Sequence, residues 1–446
     1  MKARMAAFVA FGILFAGAMA AVSSQQRSLV VLSLDGLSAE TIAHAGELGV
    51  NLPRLTAFRA EGAGARAVVN VAPTLTYPNH TTLLTGVAPD RHLVLNNLVF
   101  DPEGVRNNDV YWFADAIRVP TLWDAAHAAG GKVVNVYWPV AVGSPSIDIN
   151  FPEIWAGGQP KNWSLIAALS TTRLLAGDTK DERKANLMQL IEPTTGGDAE
   201  RIELACTILE REKPNLTTVH LVSLDETQHH HGINSPAALK VLTSLDAIAG
   251  RMIDCARANN PQVVIAVLSD HGQVAMAREV NLGILLVNAG LIKPRAERAG
   301  ALSWRAAMWT AGGAAYLVAA DTAARAAAMK VLADYAGEPG SPVARIVPVD
   351  RTIPDRPDAR IAAVIFFQPG FAAGNALSGK LIVPSREKGQ HGGSPDEAAL
   401  RSMFIVAGPG VPRGRDLGVI DMRAIAPTLA HLLAVPFPTA DQQPLF

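Results

Sequence analysis

The chain has 446 residues, enough for one large α/β domain or two lobes, and 49% hydrophobic against 18% charged residues excludes a disordered chain. The formal charge is −1, and Lys and Arg form no block or stripe, so a nucleic acid polymer is not expected as a partner.

Residues 1–22 read as a signal peptide. Lys2 and Arg4 precede the apolar run Ala6 to Ala20, and Ala18-Met19-Ala20 supplies the small residues of a cleavage site. The run is short for a retained membrane anchor, and no later segment reads as a span, so a periplasmic or secreted protein is expected. Leu29 to Leu34 is apolar, ends at Asp35-Gly36 and reads as a central strand tipped by an acid. Helices are expected near Ser38 to Ala45 and Leu52 to Glu61, and a strand over Ala65 to Val71. Asn79 to Thr85, after Pro78, suits another helix, as does Thr121 to Ala129, and Val133 to Tyr137 suits a strand. This alternation predicts an α/β fold with a mostly parallel central sheet and helices on both faces.

The same beat resumes with a helix over Glu200 to Arg211 and a strand over Thr218 to Leu224 that ends in Asp225. A long helix over Ser235 to Ala258 then leads to a strand over Val263 to Leu268 and Ser269-Asp270-His271-Gly272. From residue 276 to 384 the pattern is less regular and reads as a smaller lobe inserted into a catalytic unit of residues 28–446. Ser402 to Ala407 is then a strand and Met422 to Leu433 a helix. Cys206 and Cys255, the only cysteines, each lie in a helix that precedes a strand. A bridge between neighbouring helices and two buried thiols both fit. Two thiols cannot build a thiolate zinc site, so any metal must be held by carboxylates and imidazoles.

Three strands thus end in acids, Asp35, Asp225 and Asp270, at the edge where open parallel sheets gather ligands. In Asp225 to Gly232, an aspartate and a histidine four positions later, His229, can converge on one ion in a loop leaving the strand; a solvated polar loop is the plain alternative. Asp270-His271 and His391, among glycines, bring the total to three carboxylates and three imidazoles, enough for two ions of mixed N/O ligation. A two-metal clamp suits phosphoryl transfer. Asn70 to Asn97 then offers a nucleophile in Thr76, which could equally be a helix cap before Asn79. The two roles are compatible, because a helix N-terminus favours a bound phosphoryl group.

Taken in order, Leu34-Asp35-Gly36, Thr74 to His80 with Thr85-Gly86, Asp225 to Gly232, Ser269 to Gly272 and His391-Gly392 resemble the alkaline phosphatase superfamily. The branch they resemble is the type I phosphodiesterase/nucleotide pyrophosphatase family, over about Leu29 to Leu433. The resemblance implies an alkaline-phosphatase-like fold and two zinc ions. Asp225, His229 and His391 would hold the first; Asp35, Asp270 and His271 the second, with Thr76 contacting the second as nucleophile. Asn97 would hydrogen-bond a non-bridging phosphoryl oxygen. Hydrolysis would pass through a phosphothreonine-type intermediate, on a small phosphate ester or nucleotide-like substrate. His230 and His231 have no ligand role in this scheme, and His80 and His92 are expected to support structure or to stand behind the ligands.

Monoesterases resembling this branch often carry a lysine and arginine pair after the strand equivalent to Val133 to Tyr137. Here Trp138 to Gly143 has no basic side chain, which favours a diester or pyrophosphate over a monoester. A phosphomonoesterase or phosphonate hydrolase with the same metals is the main alternative; a metal-dependent phosphoglycerate mutase and a non-catalytic binding protein are weaker ones. The family pattern has glycine after the histidine of Asp90-Arg91-His92, where this chain has Leu93.

Overall fold

All six residues of β1 (Leu29–Leu34) are buried, and alternate ones face opposite cores. Val30, Leu32 and Leu34 join one hydrophobic cluster, Leu29 and Val31 the other. A strand covered on both faces needs a continuous apolar run rather than an alternating one. The computed structural model describes residues 27–106, 109–155, 163–296, 299–353 and 356–446, so the expected signal peptide of residues 1–22 lies outside the described residues. No helix among the described residues is long and apolar enough to cross a membrane.

β1 pairs in parallel with β4 (Leu216–Leu221) on one side and β5 (Val264–Leu268) on the other, with Leu34 opposite Leu221 and Ser33 opposite Leu268. β2 (Val133–Val136) and β3 (Ile149–Phe151) extend the parallel array beyond β4. On the far side, β6 (Phe404–Ala407) pairs antiparallel with β5, and short strands at Ala63–Gly64 and Arg415–Asp416 complete the eight-stranded sheet. The mixed α/β architecture with a mostly parallel central sheet flanked by helices matches the expected alkaline-phosphatase-like class.

Four helices position the site. α1 (Thr76–Thr85) is buried throughout. α2 (Thr195–Glu212), α3 (Ser223–His231) and α4 (Pro236–Asn259) follow one another around β4. α4 buries Leu242, Leu245, Ala249, Met252, Ile253 and Ala256, the three-and-four spacing that gives one apolar stripe. A disulfide joins Cys206 of α2 to Cys255 of α4, which resolves the two sequence alternatives in favour of the bridge.

Beyond β5, an antiparallel sheet orders Ala306–Ala311, Ala314–Ala319, Arg356–Phe367 and Val343–Ile353, against which the helix Thr322–Ala336 packs. Its hydrophobic cluster includes Leu75 and Tyr77, so the region bordering α1 shares a core with this sheet.

Three expectations need correction. The strand expected over Ala65 to Val71 is only Ala67–Val69, and it pairs with Val419–Asp421 outside the central sheet. The helix expected from Asn79 begins at Thr76, because Pro78 sits in its first turn, where a missing N–H costs nothing. The strand expected to run to Leu224 stops at Leu221, and the segment read as a loop is α3. Leu93 adopts the left-handed conformation (φ 68°) at the end of the Pro89–His92 helix, the backbone position that favours glycine.

Candidate metal centre

The site gathers at the carboxyl ends of the parallel strands. Asp35 follows β1 directly, Asp270 and His271 follow β5, and α3 carries Asp225 and His229 four residues apart on one helical face. Gly36 turns with φ 74°, and a Cβ there would meet the Asp225 Cα at 3.0 Å, so the absence of a side chain lets the β1 turn touch α3. Gly392 plays the same part for His391: φ is 85° and a Cβ would lie 2.0 Å from the Ala311 carbonyl oxygen.

These turns bring all the expected ligands into one continuous array. Asp35, Asp270 and His271 offer ligand atoms within 4.8 Å of one another, and so do Asp225, His271 and His391. His271 Nε2 lies 3.0 Å from Asp270, 3.5 Å from Asp35 and 3.2 Å from Thr76 Oγ1. His229 Nε2 is 3.3 Å from Asp225 and His391 Nε2 3.8 Å from it. In each imidazole Nδ1 is engaged by a backbone carbonyl: Gly389 for His229, Thr74 for His391 and Gly272 for His271, at 3.1, 3.0 and 3.2 Å. That anchoring leaves Nε2 for the shared space, the arrangement usual in metal-binding histidines.

Thr76 is the first residue of α1, behind an extended Leu75 that offers no side-chain cap. It therefore does not cap the helix; it presents its own hydroxyl at the helix N-terminus. Asn97 Oδ1 accepts the Tyr77 N–H at 2.9 Å, which orients the amide of this cavity-lining residue. Asn96 holds that loop, donating to the Thr310 carbonyl at 2.8 Å and accepting the Asn97 N–H at 2.7 Å.

Three side chains support the acids from behind, and of these the sequence singles out only His80. His220, buried inside β4, sits 3.0 Å from Asp35 Oδ2 and 3.1 Å from Glu153 Oε2. His80 reaches Asp270 at 3.4 Å while bonding Ser33 Oγ at 2.9 Å. Gln273 donates to Asp225 Oδ1. One signal was present: Ser33 is the single polar residue in the apolar run of β1, and a hydroxyl buried there needs a partner. His230 is exposed and pairs with Glu226 at the cavity rim, and His92 is buried against Thr82; neither belongs to the groups formed by Asp35, Asp225, Asp270, His271 and His391.

Burial, and then Asp270 and Asp225, push the Asp35 carboxyl well above its ordinary range. Burial opposes ionisation of Asp270 too, but His271 and His80 outweigh it and hold that carboxyl low. Burial is likewise outweighed at Asp225, chiefly by His229, and its carboxyl is held low. His271 is raised to about 9 because Asp270, Asp35 and Asp225 overcome its desolvation, whereas burial and the neighbouring His271 lower His391 to about 3. Like charges this close need a counter-charge at the centre. Asp35 Oδ1 and Asp270 Oδ2 are buried and accept no hydrogen bond. Buried carboxylate oxygens and imidazole Nε2 atoms crowded into one space are a mixed O/N donor set that fits divalent cations of intermediate softness.

A cavity of about 610 Å³ opens over the array. Its lining includes Tyr137, Ile154, Trp155, Ile191, Pro193 and Val222 together with Asn97, Leu98, Thr310 and Gly312. Among the described residues no Lys or Arg lines it, while Glu153, Glu226 and Glu387 do.

The family model described as type I phosphodiesterase / nucleotide pyrophosphatase matches residues 29–394. Among curated relatives, ectonucleotide pyrophosphatase/phosphodiesterase family member 3 of Rattus norvegicus is 25% identical over 258 residues, covering 55% of this chain and 25% of that protein. Family member 1 of Homo sapiens is also 25% identical over 258 residues, with 54% and 23% covered. The chain thus spans about a quarter of the length of these relatives. Among solved structures, human ectonucleotide pyrophosphatase / phosphodiesterase 5 aligns with a TM-score of 0.63 at 18% identity, covering 94% of this chain and 96% of that one. An inactive variant of the murine protein in complex with AMP aligns with a TM-score of 0.65 at 19% identity, covering 94% and 97%. At these identities the two structures bear on the fold.

Proposed function

Since the chain belongs to the type I phosphodiesterase/nucleotide pyrophosphatase family of the alkaline phosphatase superfamily, we propose that it is a zinc-dependent phosphodiesterase/nucleotide pyrophosphatase using a covalent phosphothreonine at Thr76. The observation that carries this reading is the Thr76 hydroxyl at a helix N-terminus, 3.2 Å from His271 Nε2 and facing the orphaned carboxylate oxygens. Asp225, His229 and His391 would hold one ion and Asp35, Asp270 and His271 the other. Two bound zinc ions supply charge stabilisation for the attacking and leaving oxygens of an in-line displacement.

The protein's own groups do the rest. The N-terminus of α1 and the Asn97 amide bind the non-bridging oxygens and favour the charge that develops on them. Thr76 Oγ1 forms a bond to phosphorus as the bond to the leaving oxygen breaks. Water then attacks phosphorus from the opposite side and Thr76 departs, which regenerates the hydroxyl. A monoester dianion asks for more positive charge than a diester, and the Lys- and Arg-free lining supports the diester. AMP in the complex of the murine relative supports a nucleotide-like substrate. The Cys206–Cys255 bridge supports an oxidising compartment and hence export with residues 1–22 as signal peptide. We assign residues 276–384 as a lobe inserted into the catalytic unit of residues 28–446; Thr310, Ala311, Gly312 and Ala373 from it line the cavity.

The test is turnover of an aryl phosphodiester, an aryl phosphomonoester and a nucleotide pyrophosphate by the zinc-loaded protein. Thr76→Ala should remove nearly all turnover and retain two metals. Undiminished turnover in that variant would rule out the nucleophile, and a preference for the monoester would overturn the assignment of ester class.

A further inference from the structure

We propose that the buried pair Asp198–Arg201 is a positioning device that sets α3, and with it Asp225 and His229, against the rest of the centre; the inference rests on the reading of those two residues as metal ligands. Both side chains lie on α2 and are fully buried, and Asp198 is 25 residues before Ser223, the first residue of α3. α3 begins without a cap of its own: Val222 precedes it and has no side-chain oxygen to offer. Asp198 supplies that cap from outside. Its Oδ1 accepts the Val222 N–H at 3.0 Å and its Oδ2 the Ser223 N–H at 3.1 Å. One carboxylate thereby satisfies two amides at the start of the helix and places negative charge at its positive end. Asp225 follows within the first turn.

Asp198 is itself immobilised. Arg201 donates to its Oδ1 and, through the other terminal nitrogen, to the Glu192 carbonyl at 3.0 Å. The guanidinium also lies over the Tyr137 ring, 3.7 Å from its centroid, and the Tyr137 hydroxyl donates to the Ile191 carbonyl at 3.2 Å. Val222, Tyr137 and Ile191 all line the cavity. A single buried pair therefore fixes both the helix bearing two ligands and the wall beside them. Burying two charges is a poor route to stability, because well-packed apolar residues do as well or better. What the charged pair adds is direction: a carboxylate locked in place defines where the two helix amides must sit.

Every neighbour of the Asp198 carboxylate is a donor, so Asp198→Asn must aim its NH2 at one of them. The expected result is a folded protein with an intact disulfide whose zinc affinity at one of the two sites falls about 10–100-fold, the range for outer partners of metal ligands. Turnover should fall at low zinc and recover at saturating zinc, a rescue that a generally destabilised fold would not show. If Asp198→Asn does not fold, the double variant Asp198→Leu/Arg201→Met removes both charges together and is read the same way. Wild-type zinc affinity at both sites in a folded variant overturns the proposal. Should the wild-type protein itself bind no zinc, the assignment of the centre fails instead. Amide exchange then decides the positioning claim: faster exchange at Val222 and Ser223 supports it, and unchanged protection overturns it.

Discussion

Replacing His220 by Phe isolates the contribution of a residue that cannot reach the substrate space yet holds two acids that line it. The ring sits in β4 with no solvent exposure, Nε2 3.0 Å from Asp35 Oδ2 and Nδ1 3.1 Å from Glu153 Oε2. Phenylalanine fills the volume but offers neither nitrogen. Each buried carboxylate oxygen left unpaired costs about 1–3 kcal/mol, so the two together predict a loss of about 2–6 kcal/mol. The Asp35 carboxylate is also freed to rotate, and loosening a ligand in this way lowers metal affinity about 10–100-fold. Urea unfolding of the metal-free protein reads the first effect apart from ligand linkage, and zinc competition against a chromophoric chelator reads the second. A variant within about 0.5 kcal/mol of wild type, the scatter of a neutral substitution, that binds both zinc ions unchanged would refute the reasoning.

Asn97→Ala should lower kcat about 10²–10³-fold, the usual effect of removing one oxyanion donor, with both metals retained; steady-state kinetics with metal analysis checks it. Burial holds the His92 imidazole down to about 3, with Nδ1 accepting the Val94 N–H at 3.2 Å. The unfolded chain takes up this proton near pH 6.5, before the folded chain does. The stability tied to His92 is therefore full above that pH and falls by about 1.4 kcal/mol per unit as pH drops toward 3. His92→Gln should flatten that slope in urea titrations run across the range. Gly392→Ala forces a Cβ toward the Ala311 carbonyl at φ 85°, and should cost about 1–3 kcal/mol and weaken zinc binding at the site of His391; calorimetry and zinc titration measure both.

Much of the frame was legible along the chain because its signals are local. The apolar runs at Leu29–Leu34 and Val264–Leu268 mark strands covered on both faces, and the acids that follow them mark the edge where a site forms. The boundaries of α4 follow from Ser235, whose hydroxyl accepts the Ala238 N–H, and from the three-and-four spacing behind it. The donor types at Asp35, Thr76, Asp225, His229, Asp270, His271 and His391 follow from composition around those turns.

Tertiary structure decided what depends on distant partners. Asp225 to His231 is polar and offers no apolar stripe, so periodicity read it as a loop. It is a helix because Asp198, remote in sequence, caps its first amides. The joining of Cys206 to Cys255 depends on α2 lying against α4. His220 sits in a strand that reads as core and Glu153 follows β3, and only the lateral order of β1, β4, β2 and β3 brings His220 between Asp35 and Glu153. Local pattern specifies which segments become strands and which atoms can bind a cation. The positions of those atoms come from buried polar groups finding one another across the fold, because each would be costly if left unpaired.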